Sequence, residues 1–381
     1  METFALYIHY PWCKSLCRYC DYNRFLVVDS TAVDHYLLAV IEDLKFEAPN
    51  YFKKEISSIY LGGGTPSGIA LEHLSKLFEQ IFKDFLISDK CEITIELNPE
   101  DAQLKYLFGL KALGFNRVSL GVQSFDDFAL RNLKRAHTRR HIVNAIKNIR
   151  RAEFVNLNVD LLLNISCLAS LEVAFDDVKS LVSFNPEHIS LYEINSSETI
   201  IAIEKEDQQE RLRAEKFFNL QQLLFENDFI QYEINSYSKR DFQCLHNLNT
   251  WTFGDYLGVG AGAVSRHTRG KESFLVTRPS NPDSYIEKLQ AKAEHFDNLM
   301  VPQDYEIQAS DYLISLTRLK KGFSFGEFRR KNPFASFYGW NKRIINAKRK
   351  GLLREENDII RPTPLGYRFL DDLHLILSSC V

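Results

Sequence analysis

Short apolar runs alternate with segments of helical period through the first half of the chain. Six runs predict strands: Phe4–His9, Ile56–Leu61, Glu92–Leu97, Arg117–Leu120, Leu157–Leu161 and His188–Tyr192. Each is four to six residues long, mostly apolar, and bounded by Gly, Pro, Asn or charge. Between them His35–Glu47, Ala70–Lys83, Ala102–Leu113, Asp126–Leu133, Arg139–Arg151 and Leu171–Val182 repeat apolar positions at helical spacing. Repeated strand–helix units imply parallel pairing with right-handed crossovers. Six units over about 200 residues predict an α/β fold, a curved sheet or partial (β/α)6 barrel. The lack of two further units argues against a closed barrel.

The pattern changes after residue 203. Glu204–Asn227 is a charged, Gln-rich helix pattern, and Gly254–Ala263 reads as a small-residue loop. From Tyr305 a helix is expected, then Phe325–Lys331 and Phe337–Lys350, then a two-stranded wing turning at Glu356-Asn-Asp and a last helix after Pro364-Leu-Gly. That order resembles a winged-helix-like module. Three regions are therefore expected: a partial barrel over 1–203, a linking region over 204–300, and the winged-helix-like module over 301–381.

Composition narrows the class. In 381 residues, 47 Lys and Arg face 50 Asp and Glu, a net charge of −3, and 45% of residues are hydrophobic. That balance suits a globular protein with a real core and gives no global reason to expect nucleic acid as a partner. No apolar run approaches the ~18 residues needed to cross a bilayer. The start lacks a basic n-region and a small-residue cleavage site, so a cytoplasmic protein is expected. Three of the seven cysteines fall within eight residues. Cytosolic thiols stay reduced, so the clustering points to metal or redox chemistry rather than a disulfide scaffold.

The cluster reads Cys13-Lys-Ser-Leu-Cys17-Arg-Tyr-Cys20, spacing C-x3-C-x2-C. Three thiolates on one loop can hold three irons of a cubane and leave the fourth without a protein ligand, open to a small molecule. Zinc is the alternative; it usually wants four protein ligands, no second C-x2-C pair exists, and His9 or His246 would have to complete the set. Tyr60-Leu-Gly62-Gly63-Gly64-Thr65-Pro66-Ser67 follows the second strand. It lacks a P-loop ending, yet it lies at the carboxyl end of a strand, where parallel sheets place their ligands. Polar residues mark the ends of later strands: Glu96, Gln123 and Asp160, with Arg135 after a helical turn. Each alone reads as a cap or ion-pair member. Together, a cation, carboxylates and an amide suit a zwitterionic amino acid carrying a ribose.

These motifs, with Tyr7-Ile-His-Tyr-Pro-Trp12 before the cysteines, Glu96-Leu-Asn-Pro99 and Gly121-Val-Gln-Ser-Phe125, resemble radical S-adenosylmethionine (SAM) proteins. The resemblance is to the oxygen-independent coproporphyrinogen III oxidase-like group and spans almost the whole chain. It implies a 4Fe–4S cluster on Cys13, Cys17 and Cys20, with SAM bound to the unique iron. By position Tyr7, Gly63, Gly64, Thr65, Glu96, Gln123, Arg135 and Asp160 match its SAM-contacting residues. In members that catalyse, an electron cleaves SAM to a 5′-deoxyadenosyl radical, which implies an electron donor as partner.

Within that group the chain resembles the haem chaperone branch, whose members bind haem and pass it to haem-accepting proteins. Oxidases resemble C-x3-C-x2-C-x-C, whereas Tyr22 stands at the last position here, and only twelve residues precede Cys13. Cys244-Leu-His-Asn-Leu-Asn-Thr-Trp251 is characteristic of the chaperone branch, and His246 supplies an imidazole that could approach haem iron. A hydrogen-bonded structural histidine is the other reading. The oxidase, acting on the porphyrinogen, is the alternative function. One departure concerns Asn164-Ile-Ser-Cys-Leu-Ala-Ser170, which replaces a Gly-rich stretch of the family and implies a different path for the loop there.

Overall fold

The computed structural model describes residues 2–27, 30–163, 168–193, 207–270, 272–290 and 301–378. The loop over 164–167, and the side chains through Ser170, lie outside what is described.

Six parallel strands form the centre of the fold: β1 Glu2–Tyr10, β2 Lys54–Gly63, β3 Leu86–Leu97, β4 Arg117–Gln123, β5 Asn156–Leu163 and β6 His188–Glu193. They are hydrogen-bonded in that order. Each contains the run expected from the sequence. The expected crossovers are present as helices Ser30–Glu47, Leu71–Asp84, Leu104–Ala112, Asp127–Asn132, Arg139–Arg151 and Leu168–Ser183. Helix Arg139–Arg151 shows why. Ile142, Ala145, Ile146 and Ile149 repeat at three- and four-residue spacing and are buried, while Thr138 caps its start.

The sheet does not stop at six strands. Tyr256–Val259, inside the segment expected to be a small-residue loop, pairs in parallel with the open edge of β1. Leu257 and Val259 are buried there. The glycines in and around it disguise the strand, and at Gly258 no side chain fits: a Cβ there would lie 2.1 Å from the carbonyl oxygen of Val264. Strands Val264–Arg269 and Glu272–Thr277 continue antiparallel from it, and Ser236–Ser238 extends the other edge at β6. Both edges of the partial barrel are thus covered by the chain's own strands.

One hydrophobic core runs from Phe4 to Leu289 and a second from Ala309 to Leu377. The second is built from helices Tyr305–Thr317, Phe325–Lys331 and Phe337–Arg349 around Trp340, which has no exposed surface. A hairpin, Leu353–Glu356 with Ile359–Pro362, turns through Asn357 and Asp358, both with positive φ (51° and 62°). Helix Leu245–Trp251 lies between the cores. His246 faces the tyrosines of β1 and β2, while Leu248 and Trp251 pack on the second core. No helix among the described residues is long and apolar enough to cross a membrane.

Candidate functional site

The cysteine loop leaves the carboxyl end of β1. Its base is closed by a two-residue parallel pairing, Trp12–Cys13 with Phe25–Leu26. Inside the loop Arg24 donates from Nε to the carbonyl of Cys20 (3.1 Å) and from Nη2 to that of Cys17 (2.9 Å). One guanidinium therefore fixes the backbone at two of the three cysteines, and its charge sits beside the thiols. Cys13, Cys17 and Cys20 are all free thiols. Burial pushes the Cys13 thiol up, and the Thr65 side chain, hydrogen-bonded to it, opposes that rise.

The Gly-rich turn after β2 supports this loop directly. Gly64 N–H donates to the Tyr10 carbonyl (2.6 Å) and Thr65 N–H to that of Trp12 (2.8 Å). A Cβ on Gly64 would lie 2.6 Å from Trp12 O. The glycine is thus required for contact with the cysteine loop's own backbone, a role nearer to hand than ligand approach.

Around the loop, the strand ends present their polar residues. Glu96, on β3, accepts from Tyr60 Oη (2.9 Å) and from Gly63 N–H (3.2 Å). Asp160, on β5, accepts from Ser119 Oγ (3.1 Å) and Asn158 Nδ2 (2.9 Å). Burial, and then the charge of Asp160, raise Glu96 to about 7; burial likewise raises Asp160. Tyr7 shares a hydrogen bond with His9 Nδ1 (2.9 Å), and burial followed by Glu96 raises its hydroxyl. Gln123 ends β4 at φ 69°, where the register with β5 shifts between Gly121 and Gln123. A non-glycine residue held there marks a bulge that re-aims a side chain. Asp177 fixes the turn beyond it, accepting from Ser124 Oγ (2.6 Å) and Phe125 N–H (2.7 Å). Arg135 Nη2 donates to Asn98 Oδ1 (2.7 Å) and Gly121 O (3.1 Å), Nη1 lies 3.5 Å from Cys17 Sγ, and Nε is buried without a partner.

All the strand-end residues picked out in the sequence meet at one end of the sheet. Arg24, Asn98 and Asp177 complete the site and were not picked out. Asn98 had a signal, the Leu-Asn-Pro after Glu96. Arg24 and Asp177 had none, because both act on backbone brought near by folding.

The donor set fits the groups that the resemblance implies. Glu96 and Asp160 are two mutually repelling buried carboxyls, opposed first by the hydrogen bonds they accept and then by the charge of Arg117. Such a pair suits a ligand bearing an ammonium and a sulfonium. Three cysteine thiols beside Arg24 and Arg135 suit an iron–sulfur cluster. Zinc fits less well. Both His9 nitrogens are engaged, by Tyr7 and by Asn23 O (2.8 Å).

His246 lies elsewhere. Its Nδ1 is 3.2 Å from Ser58 Oγ, its backbone N–H donates to Glu92 Oε1 (3.3 Å), and its ring is 5.0 Å from that of Tyr60. Burial, then Arg117, lowers it to about 3, so the imidazole is neutral. This placement supports the hydrogen-bonded structural role left open beside haem ligation.

The sheet, the three-cysteine loop and the acidic strand ends define a radical SAM protein, and the model of the radical SAM superfamily matches residues 7–166. The haem chaperone HemW of Buchnera aphidicola subsp. Schizaphis graminum is 30% identical over 98% of both chains. HemW of Escherichia coli (strain K12) is 32% identical over 75% of this chain and 76% of that one. The chain belongs to the HemW family of radical SAM proteins, and membership of the superfamily implies a 4Fe–4S cluster and SAM. In structure it is similar to the coproporphyrinogen III oxidase HemN of Escherichia coli, with a TM-score of 0.80 at 20% identity, over 99% of this chain and 90% of that one. That likeness is one of fold.

Proposed function

We propose that this protein is a haem chaperone of the cytoplasm that holds a 4Fe–4S cluster on Cys13, Cys17 and Cys20, binds SAM beside it, and takes up haem for transfer to haem-accepting proteins. The observation that carries the reading is the three-thiol loop, stapled by Arg24 and set against a buried acidic pair, in a chain whose relatives are haem chaperones. When bound, the cluster supplies an open coordination position and, reduced by an electron donor, an electron for SAM.

The chain's own residues do the rest. Arg24 fixes the loop, and Arg135 holds its Nη1 3.5 Å from Cys17 Sγ while its unpartnered Nε remains for a ligand carboxylate. Glu96 and Asp160 provide the negative charge for a cationic ligand, and Tyr7, Gly63, Gly64, Thr65 and Gln123 line the same end of the sheet. The oxidase reading rests on likeness of fold, and Tyr22 stands where oxidases place a further cysteine. Anaerobic reconstitution with iron and sulfide, then haem titration and an assay on coproporphyrinogen III, separates the two. The expected result is haem uptake without decarboxylated product; stoichiometric product would contradict it.

A further inference from the structure

Three buried polar atoms without hydrogen-bond partners occur where the barrel meets the C-terminal core: Arg318 Nε, Trp251 Nε1 and Glu233 Oε2. Arg318 joins them. Its guanidinium lies 4.2 Å over the Trp251 ring, and its Nη2 is 4.0 Å from Glu233 Oε2, outside hydrogen-bonding distance. Native folds seldom leave such groups unsatisfied, and several in one place call for an explanation. The setting is rigid. Glu233 bridges to Leu319, which is buried in the second core, and Trp251 ends the helix wedged between the cores.

Tyr192 links this place to the site already described. Tyr192, at the end of β6, lies within electrostatic reach of Asp160 and Glu233, and Arg318 within reach of Glu233, Tyr192 and Asp371. Two residues along, the Lys320 ammonium sits 3.7 Å over the Tyr367 ring. Burial alone lowers it to about 8, with no carboxylate opposing the shift. Burial also raises Glu233, which weakens its hold on Arg318.

We propose that the Arg318–Trp251 pair is a carboxylate-binding subsite that receives a propionate arm of the tetrapyrrole. This rests on the haem reading above. A guanidinium stacked on an indole is held in one plane with its fork presented, the geometry that binds carboxylate through two bonds. The indole N–H beside it is a further donor. A carboxylate seated there satisfies the donors that Glu233, at 4.0 Å, does not reach.

The test is titration of the reconstituted full-length protein with haem and with haem dimethyl ester, whose propionates are neutral. The wild-type protein is expected to bind haem about ten- to a hundredfold more tightly than the ester, the range for hydrogen bonds to a charged group. Arg318→Gln is expected to bind both alike, at the ester's level, while keeping its iron content and its SAM-dependent cluster spectrum. Trp251→Phe keeps the ring, loses the N–H, and should lose several-fold for haem alone. Equal binding of haem and ester by the wild-type protein overturns the subsite and leaves the haem reading standing. Binding of neither overturns the haem reading, and the subsite with it.

Discussion

The two ends of the barrel interior are both polar, and they are polar in different ways. At the base, Glu92 is set 3.8 Å from Arg117 and accepts from the His246 N–H and the Cys244 thiol. His188 is held on one side by Asn158 (2.6 Å) and on the other by Tyr232 (2.7 Å). At the mouth, Glu96 and Asp160 are hydrogen-bonded yet repel each other, and neither has an ion pair among the described residues. The base balances its charges with its own side chains, and the mouth keeps a surplus of negative charge. A buried surplus costs stability in the free protein and is returned when a cation binds. Polarity alone therefore does not locate a site; unbalanced polarity does.

The strongest way to break this contrast is at the cysteines. Cys17→Ser should lose essentially all of its iron after anaerobic reconstitution, measured per chain, while its melting curve without iron matches the wild type.

Next comes the base. Arg117→Leu leaves Glu92 without its cation and should destabilise the fold by about 3–5 kcal/mol in urea unfolding, the usual cost of breaking a buried pair from one side. A change below about 1 kcal/mol would show that the base is not charge-balanced as described.

The mouth should respond to pH with a defined sign. Glu96 keeps its proton to about 7 in the fold, against 4.5 for an ordinary glutamate. Between those values the native state holds a proton that the unfolded chain has lost, so stability declines as pH rises from about 5 to about 7 and levels off above. Glu96→Gln should remove most of that decline in unfolding measured across the range. SAM binding should strengthen over the same interval in the wild type, as the carboxylate forms.

The smallest effect is expected at His246. With its imidazole neutral and bonded inside the barrel, His246→Gln should cost about 1 kcal/mol and leave haem affinity unchanged. A large loss of haem affinity would move His246 from the base to the site.

Much of this was legible in the sequence, for a physical reason. The six strands are short apolar runs set off by turn residues, and their helices are amphipathic, so local pattern and global fold agree. The cysteine spacing and strand-end polar residues were legible because parallel sheets gather ligands at one edge. What escaped depends on tertiary proximity. Tyr256–Val259 reads as a loop because of Gly258 within it and Gly254, Gly260 and Gly262 around it, and Gly258 is required by a backbone contact with Val264 made only in the fold. Arg24 acts on carbonyls, which sequence does not mark. His246 was recognisable as a special residue, but nothing local indicated that it turns inward toward Tyr60.

The most direct test of the central claim is electron paramagnetic resonance of the reconstituted, reduced protein with and without SAM. A 4Fe–4S signal that changes on adding SAM, and that changes less in Asp160→Asn, is the predicted result. A cluster signal indifferent to SAM, or a protein that binds zinc and no cluster at these cysteines, would contradict the account.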